Sequence, residues 1–122
     1  MPANPHFISK ALAAIGQADF EVIEGLRDEI RPADVPELVK TWQPSLPWHI
    51  KDGYAALLMD QLGEVVRPVM ADALNSPTAE TRAYALCSLT GDFSLFDQLL
   101  TSGGVDARKV DAAVARYRAQ RR

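Results

Sequence analysis

Residues 74–92 read LNSPTAETRAYALCSLTGD. Ser76 and Pro77 form a turn signal, and the basic residue Arg82 follows six positions after the serine. An apolar stripe with helical spacing comes next and ends at a Gly-Asp pair: Ala83, Leu86, Leu89, Gly91 and Asp92. A proline after a polar residue and a glycine after the stripe are typical of the two ends of a helix. The stretch therefore predicts a turn followed by one amphipathic helix.

The same layout occurs elsewhere in the chain. A basic residue follows a capping residue at the same offset in three other places: Asn4 and Lys10, Ser45 and Lys51, and Ser102 and Arg108. A period of roughly 30 residues, made of a cap, a basic residue and a helical stripe, is typical of stacked helical repeats. The intervals between the four caps shorten along the chain, so the spacing is uneven. It predicts a short array of about three hairpins.

Capping residues, prolines and apolar spacing predict eight helices and no strand over the whole chain. The predicted helices cover residues 5–15, 20–30, 35–42, 45–62, 64–74, 77–89, 93–100 and 107–117, and the predicted caps include Asn4, Asp19, Asp34, Asp92 and Asp106. Pro68 fits its helix only in the first turn. Val22, Leu62 and Val65 are predicted on apolar faces. Because the loops are short, neighbouring helices should pack as antiparallel hairpins, which predicts an all-α fold.

Composition limits the class of protein. The 122 residues are 48% hydrophobic and 24% charged, as expected for one soluble globular domain over residues 1–122. No apolar run approaches the roughly 20 residues of a membrane span, and the first residues lack the pattern of a signal peptide, so we expect a cytoplasmic protein without membrane contact. Cys87 is the only cysteine and lies on the apolar stripe, where a small core residue is expected.

Charge is distributed unevenly. Residues 105–122 contain six basic groups against two aspartates, a net charge of +4, so the rest of the chain carries −7. A basic terminal segment can contact phosphates or an acidic partner. Lys and Arg near the end of a helix are equally explained by its dipole, which favours cations there. The acidic remainder argues against extended wrapping of nucleic acid.

The stretch from Leu74 to Asp92 resembles HEAT repeats, especially the short HEAT-like repeats of phycobilin lyases. In that family an acidic residue and a proline make the turn, and an arginine opens the second helix. Arg82 is in the place of this ladder arginine, while Ser76 replaces the usual aspartate. The resemblance implies a weaker ladder in which the serine oxygen accepts the hydrogen bond without a charge. It is clearest over residues 45–120, whereas residues 4–44 form an irregular N-terminal unit, and it implies one HEAT-like domain.

Catalytic and metal-binding patterns are poor. His6 and His49 are the only histidines, neither has a metal-ligand neighbour at i+4, and no glycine-rich phosphate loop is present. Asp52 and Asp60 are separated by about 12 Å along a helix, which is too far for a shared proton. We therefore predict no catalytic residue, no cofactor and no metal ligand.

Candidate partner-binding residues come from the densest polar and aromatic cluster and from the layout of the array. Trp48, His49, Lys51 and Asp52 follow the proline-rich corner, and tryptophan is prominent in interface energetics. If the family resemblance holds, the helices that start near Pro5, Pro47, Pro77 and Asp106 form the inner layer. Asp60 and Tyr84 would then face a partner too. Alternatively, Trp42 and Trp48 cover the proline corner and seal the edge of the core.

Three functions are compatible with these patterns. The first is a non-catalytic scaffold or adaptor that binds another protein on a HEAT-like surface. The second is a nucleic-acid-binding or DNA-repair protein similar to HEAT-like glycosylases, which the acidic body disfavours. The third is a lyase-type accessory enzyme, as in the family that these repeats resemble. We expect the scaffold, with an unknown protein partner.

Overall fold

The computed structural model describes residues 3–121 and, within them, eight α-helices and one small β-hairpin. The helices are α1 (Pro5–Gly16), α2 (Phe20–Arg27), α3 (Asp34–Thr41), α4 (Trp48–Leu58), α5 (Arg67–Ala73), α6 (Ala79–Thr90), α7 (Ser94–Gln98) and α8 (Ala107–Gln120). The strands are β1 (Leu100–Thr101) and β2 (Gly104–Val105). The predicted all-α class is confirmed. No helix within residues 3–121 is both long and apolar enough to cross a membrane.

Three of the predicted caps form as expected. The side chains of Asn4, Asp19 and Asp106 accept hydrogen bonds from backbone N–H groups in the first turns of α1, α2 and α8. These N–H groups have no partner within their own helix, so a side-chain acceptor fixes where the helix begins. Sequence therefore located these three starts correctly.

Asp34 does not cap α3, contrary to the prediction. Ala33 occupies the cap position, and Asp34 is the first helical residue, 2% exposed. Its carboxylate accepts hydrogen bonds from the backbone nitrogens of Asn4, at 2.9 Å, and Arg31, at 3.0 Å. The aspartate thus joins the start of α1 to the loop before α3.

Asp92 lies one residue before the cap position of α7, which Phe93 occupies. Its carboxylate nevertheless accepts a 3.1 Å hydrogen bond from the backbone nitrogen of Ser94, the first residue of the helix. The aspartate therefore satisfies a free N–H group at this start, although the helix begins one position later than predicted.

Helix ends differ from the prediction around α2, α4 and α5. The α2 helix ends at Arg27 rather than near residue 30, and α4 begins only after Pro47, whose extended backbone is the cap. Its predicted continuation to Leu62 is absent, because α4 ends at Leu58 and a turn at Met59 and Asp60 follows. Pro68 lies in the first turn of α5, as predicted.

These shifted ends change which apolar residues are buried. Leu62 and Val65 lie outside helices and are 58% and 47% exposed. Val22 lies on α2 but is 43% exposed, because α2 buries Ile23 and Leu26 instead. The prediction that all three belong to buried faces was wrong.

A β-hairpin replaces the predicted end of α7. Leu100 pairs with Val105 and Thr101 with Gly104 in an antiparallel ladder. The sequence predicted only that a helix ends here. The positive φ of Gly104, 110°, allows the tight reversal of the chain between the two strands. The α8 helix begins directly after the hairpin.

The packing of the helices forms a row. The α1 helix contacts α4, α4 contacts α6, and α6 contacts α8. Beside this row, α2 packs against α1 and α4, α5 against α4 and α6, and α7 against α6. Fully buried side chains such as Ile15, Leu58, Met70 and Leu86 belong to one core shared by these helices. This arrangement places α2 and α6 close to α4, and a cleft is lined by all three.

Candidate functional site

Lys51 is held inside the protein. The residue is 6% exposed, and its Nζ donates a 2.9 Å hydrogen bond to the carbonyl oxygen of Pro44. The same Nζ lies 3.0 Å from Asp72 Oδ2 and 3.7 Å from the centroid of the Trp48 ring. The ammonium therefore ties the proline corner to α4 and α5. In this arrangement Lys51 is buried and its ammonium covers one face of the Trp48 ring, while the contact of these residues with a partner stays a prediction.

Asp52 also serves the interior. It is 6% exposed, and its carboxylate accepts hydrogen bonds from Ser76 Oγ at 2.7 Å and Thr78 Oγ1 at 3.0 Å. Ser76 Oγ in turn accepts from the backbone nitrogen of Thr78 at 3.1 Å. This network joins α4 to the turn before α6, and each oxygen of the Asp52 carboxylate accepts one hydrogen bond within the protein.

Arg82 makes contacts that parallel those of Lys51. Its Nη1 donates a 2.7 Å hydrogen bond to the carbonyl oxygen of Ser76, and its Nη2 lies 3.1 Å from Asp111 on α8. Each basic residue thus binds a carbonyl of the preceding turn and a carboxylate on a later helix. The expectation that the side-chain oxygen of Ser76 accepts a hydrogen bond from Arg82 was wrong. Ser76 Oγ donates to Asp52, and Arg82 donates to the backbone carbonyl oxygen of Ser76.

A cleft lies between α2, α4 and α6, and its volume is ≈ 410 Å³. The lining residues come from these helices and the turn before α6: Phe20, Glu24, His49, Asp52, Thr78, Glu80, Thr81 and Tyr84. We call this site the α2–α4–α6 cleft.

The electrostatic character of the α2–α4–α6 cleft is acidic. Glu24, Asp52 and Glu80 contribute carboxylates, and no lining residue is a lysine or arginine. The guanidinium of Arg27 is close by, with its Cζ 5.5 Å from the centroid of the Tyr84 ring. Arg27 Nε donates a 2.8 Å hydrogen bond to the carbonyl oxygen of Ala56, which fixes α2 against α4. One cation therefore stands beside three carboxylates.

Tyr84 forms the inner wall of the cleft. It is 7% exposed, its ring stacks on Phe96 with centroids 5.5 Å apart, and its hydroxyl donates to Glu80. Burial, reinforced by the hydrogen bond to Glu80, raises the pKa of Tyr84 far above its ordinary range. The phenol consequently stays protonated and acts as a hydrogen-bond donor.

The structure brings together only some of the predicted contact residues. His49, Asp52 and Tyr84 line the α2–α4–α6 cleft, whereas Trp48 and Lys51 pack at the proline corner. Asp60 is exposed just after the end of α4 and does not line the cleft.

Four lining residues were not predicted to face a partner: Phe20 and Glu24 on α2, and Thr78 and Thr81 at the start of α6. Phe20 and Glu24 lie one helical turn apart on α2, and Phe20 is 38% exposed. An aromatic residue spaced i, i+4 from a glutamate on the polar side of a helix was the sequence signal for this pair. This pair lines the cleft only because α2 packs beside α4, and no local sequence pattern specifies that packing.

Neither a metal nor a reactive thiol is indicated in the described part of the chain. Within residues 3–121, no group of three or more His, Cys, Asp or Glu side chains is arranged to hold a metal ion. Cys87 is fully buried, as predicted, and this burial raises the pKa of its thiol to about 11. The thiol is therefore a core group.

Comparison with known proteins gives no match: no family model, no curated protein and no solved structure is significantly similar to this chain.

Proposed function

We propose that this protein is a non-catalytic interaction domain that binds another protein in the α2–α4–α6 cleft. The observation that carries the proposal is the cleft itself, a concave site of ≈ 410 Å³ with an exposed aromatic side chain at Phe20. Concave sites with apolar walls and a few polar groups are typical binding sites. Aromatic residues are enriched where proteins bind each other.

The state of the polar groups favours binding over chemistry. Asp52 accepts from two hydroxyl donors, and Tyr84 keeps its proton and donates to Glu80. A general base needs a lone pair that can reach a substrate proton at a pKa near the working pH. Asp52 and Tyr84 are instead held within the protein and form a fixed wall of the cleft.

The row of helices supports an array of the HEAT-like kind. The α1, α4, α6 and α8 helices are successive neighbours, and they are the helices assigned to an inner layer from the repeat. Lys51 and Arg82 make equivalent contacts in successive units. We propose that the chain is a short HEAT-like array whose inner layer contributes His49 and Glu80 to the binding site.

Site-specific photocrosslinking tests this function. A photoreactive phenylalanine analogue replaces the exposed His49, and crosslinked proteins are compared between the otherwise unchanged chain and Phe20→Ser. Phe93→Ser is the matched control, because Phe93 has the same 38% exposure but does not line the cleft. We expect a discrete crosslinked product that Phe20→Ser removes and Phe93→Ser retains. Equal loss in both variants, or no product that depends on Phe20, contradicts the proposal.

A further inference from the structure

The two glutamates at the mouth of the cleft are accessible. Glu24 and Glu80 are both exposed, on α2 and α6 respectively. Within residues 3–121 neither glutamate forms an ion pair, although five ion pairs occur elsewhere. Glu80 accepts one hydrogen bond from Tyr84, which leaves acceptor capacity on its carboxylate. The mouth therefore carries negative charge from two helices.

The charged groups around the cleft do not cancel this charge. Arg27 is directed at the carbonyl oxygen of Ala56 and the ring of Tyr84, and it does not line the cleft. Asp52 adds a third carboxylate in the wall, where Ser76 and Thr78 donate to it. Hydroxyl donors stabilise a carboxylate without neutralising it. A cation that enters the cleft therefore meets an excess of negative charge.

The lining and the volume of the cleft suit a long cationic side chain. Phe20 offers apolar surface at the same opening, 38% exposed, next to the carboxylates. Lysine and arginine bury their methylene stems on such surface while the charged end reaches a carboxylate. The volume of ≈ 410 Å³ lies within the range of about 300–1,000 Å³ for ligand pockets.

We infer that the occupant of the α2–α4–α6 cleft is a basic segment of a partner protein, with an arginine or lysine side chain between Glu24 and Glu80 and its stem on Phe20. This inference rests on the proposed function and specifies the chemistry of the partner. Charge complementarity favours a basic segment over an acidic or wholly apolar one.

The test uses argininamide as the cationic probe and citrullinamide, its uncharged analogue, as the control ligand. Each is titrated into the protein while backbone amide signals are followed by NMR. We expect argininamide to shift the amides of Glu24, His49 and Thr81 saturably, with a dissociation constant on the order of millimolar for a single side chain. Citrullinamide, which keeps the shape but lacks the charge, should leave these signals unchanged.

Matched variants distinguish binding of argininamide in the cleft from a general effect of the acidic surface. Glu24→Gln combined with Glu80→Gln should weaken argininamide binding by about 10-fold or more, since both charges of the mouth are lost. Glu21→Gln combined with Glu37→Gln removes the same charge from exposed residues of α2 and α3 that do not line the cleft. We expect this second pair to bind argininamide as the unchanged protein does.

Three titration results overturn the basic occupant: equal shifts with citrullinamide, no saturable shift with argininamide, or equal weakening by both pairs of variants. If Phe20-dependent crosslinking persists under any of these results, the binding function stands and only the basic occupant is rejected. The exposed Arg108 and Arg116 of α8 offer another cation source in a second copy of the chain. If the protein dimerises with increasing concentration and argininamide reverses this, the occupant is a second copy of the chain, and the inference of a separate partner protein is overturned.

Discussion

Ser76 Oγ donates a 2.7 Å hydrogen bond to Asp52 Oδ1 across 24 residues of sequence, and both residues are buried. The bond joins α4 to the turn that precedes α6, two helices that are neighbours in the central row. Because Thr78 also donates to Asp52, one carboxylate fixes the register between two helices. These two hydrogen bonds therefore hold α4 to the turn before α6.

Asp52→Ala should lower the free energy of unfolding by about 2–3 kcal/mol, because it leaves the buried Ser76 hydroxyl without its acceptor. Urea unfolding followed by circular dichroism measures the change. Asp60→Ala is the control, since this exposed aspartate lies just beyond α4, and its effect should stay within about 0.5 kcal/mol. Similar losses in the two variants would show that the buried network contributes nothing specific.

Lys51→Met should lower stability by about 2 kcal/mol, because methionine retains an apolar stem but leaves Asp72 and the carbonyl of Pro44 without their cation. The loss falls below that of a fully buried pair, since the Asp72 side chain is 24% exposed. Lys40→Met removes an exposed lysine that pairs with Glu37 and should cost less than about 0.5 kcal/mol. Chemical unfolding of both variants provides the comparison, and equal costs would contradict a structural role for Lys51.

Two glycines in helix interiors should respond with opposite sign to the same substitution. Gly25→Ala should stabilise the protein by about 0.5–1 kcal/mol, because an added Cβ meets nothing within 4 Å and alanine favours the helix. At Gly53 the new Cβ would lie 3.3 Å from Ile15 Cγ2 and 3.4 Å from Ile23 Cδ1. Gly53→Ala should therefore destabilise the protein by about 1 kcal/mol, as overpacking outweighs helix propensity.

Thermal unfolding of the two glycine variants checks this pair. A raised melting temperature for Gly25→Ala and a lowered one for Gly53→Ala are expected. Stabilisation by both substitutions would mean that α1 and α2 approach α4 less closely than the structure has them.

Local signals account for what the sequence predicted well. The starts of α1, α2 and α8 depend on Asn4, Asp19 and Asp106, whose side chains act within one turn. The missed features depend on tertiary contacts instead. Aspartate is a favourable capping residue, yet the carboxylate of Asp34 accepts a hydrogen bond from the backbone nitrogen of Asn4, 30 residues away. No local pattern could have indicated that competition.

In the candidate site, too, some residues were predicted from the sequence and others depend on tertiary contacts. His49 was a candidate from the polar and aromatic cluster and Tyr84 from the inner layer that the family resemblance implies, and both line the cleft. Lys51 and Asp52 are close to His49 in sequence, but the corner at Pro44 and the turn at Ser76 hold them inside. Sequence proximity made these residues look like one surface cluster, whereas the helical turn separates them.

Leu86→Ala tests the apolar stripe of residues 83–89. Leu86 is 1% exposed and belongs to the shared core, so its truncation should cost about 2–5 kcal/mol. Leu62→Ala makes the same chemical change at a residue that is 58% exposed, and its effect should stay within about 0.5 kcal/mol. Denaturant unfolding at equilibrium measures both. A cost below about 1 kcal/mol at Leu86 would contradict its burial in a well-packed core.

The stability of the protein should fall in alkaline solution through Cys87. Burial raises the pKa of this thiol from 9.0 to about 11, so the folded protein keeps the proton over a pH range in which the unfolded chain loses it. The free energy of unfolding decreases with pH wherever the native state binds more protons. The contribution of the thiol is therefore fully present below about pH 8 and is lost progressively as the pH rises towards 11.

Cys87→Ala isolates this contribution, since Tyr84 adds a second effect of the same sign at higher pH. Unfolding free energies of the unchanged protein and of Cys87→Ala are measured from about pH 7 to pH 10. We expect the advantage of the unchanged protein over the variant to shrink across the upper part of this range, because only the unchanged protein has a thiol that ionises on unfolding. A difference that stays constant with pH would show that the thiol titrates alike in the folded and unfolded states, and that its burial is incomplete.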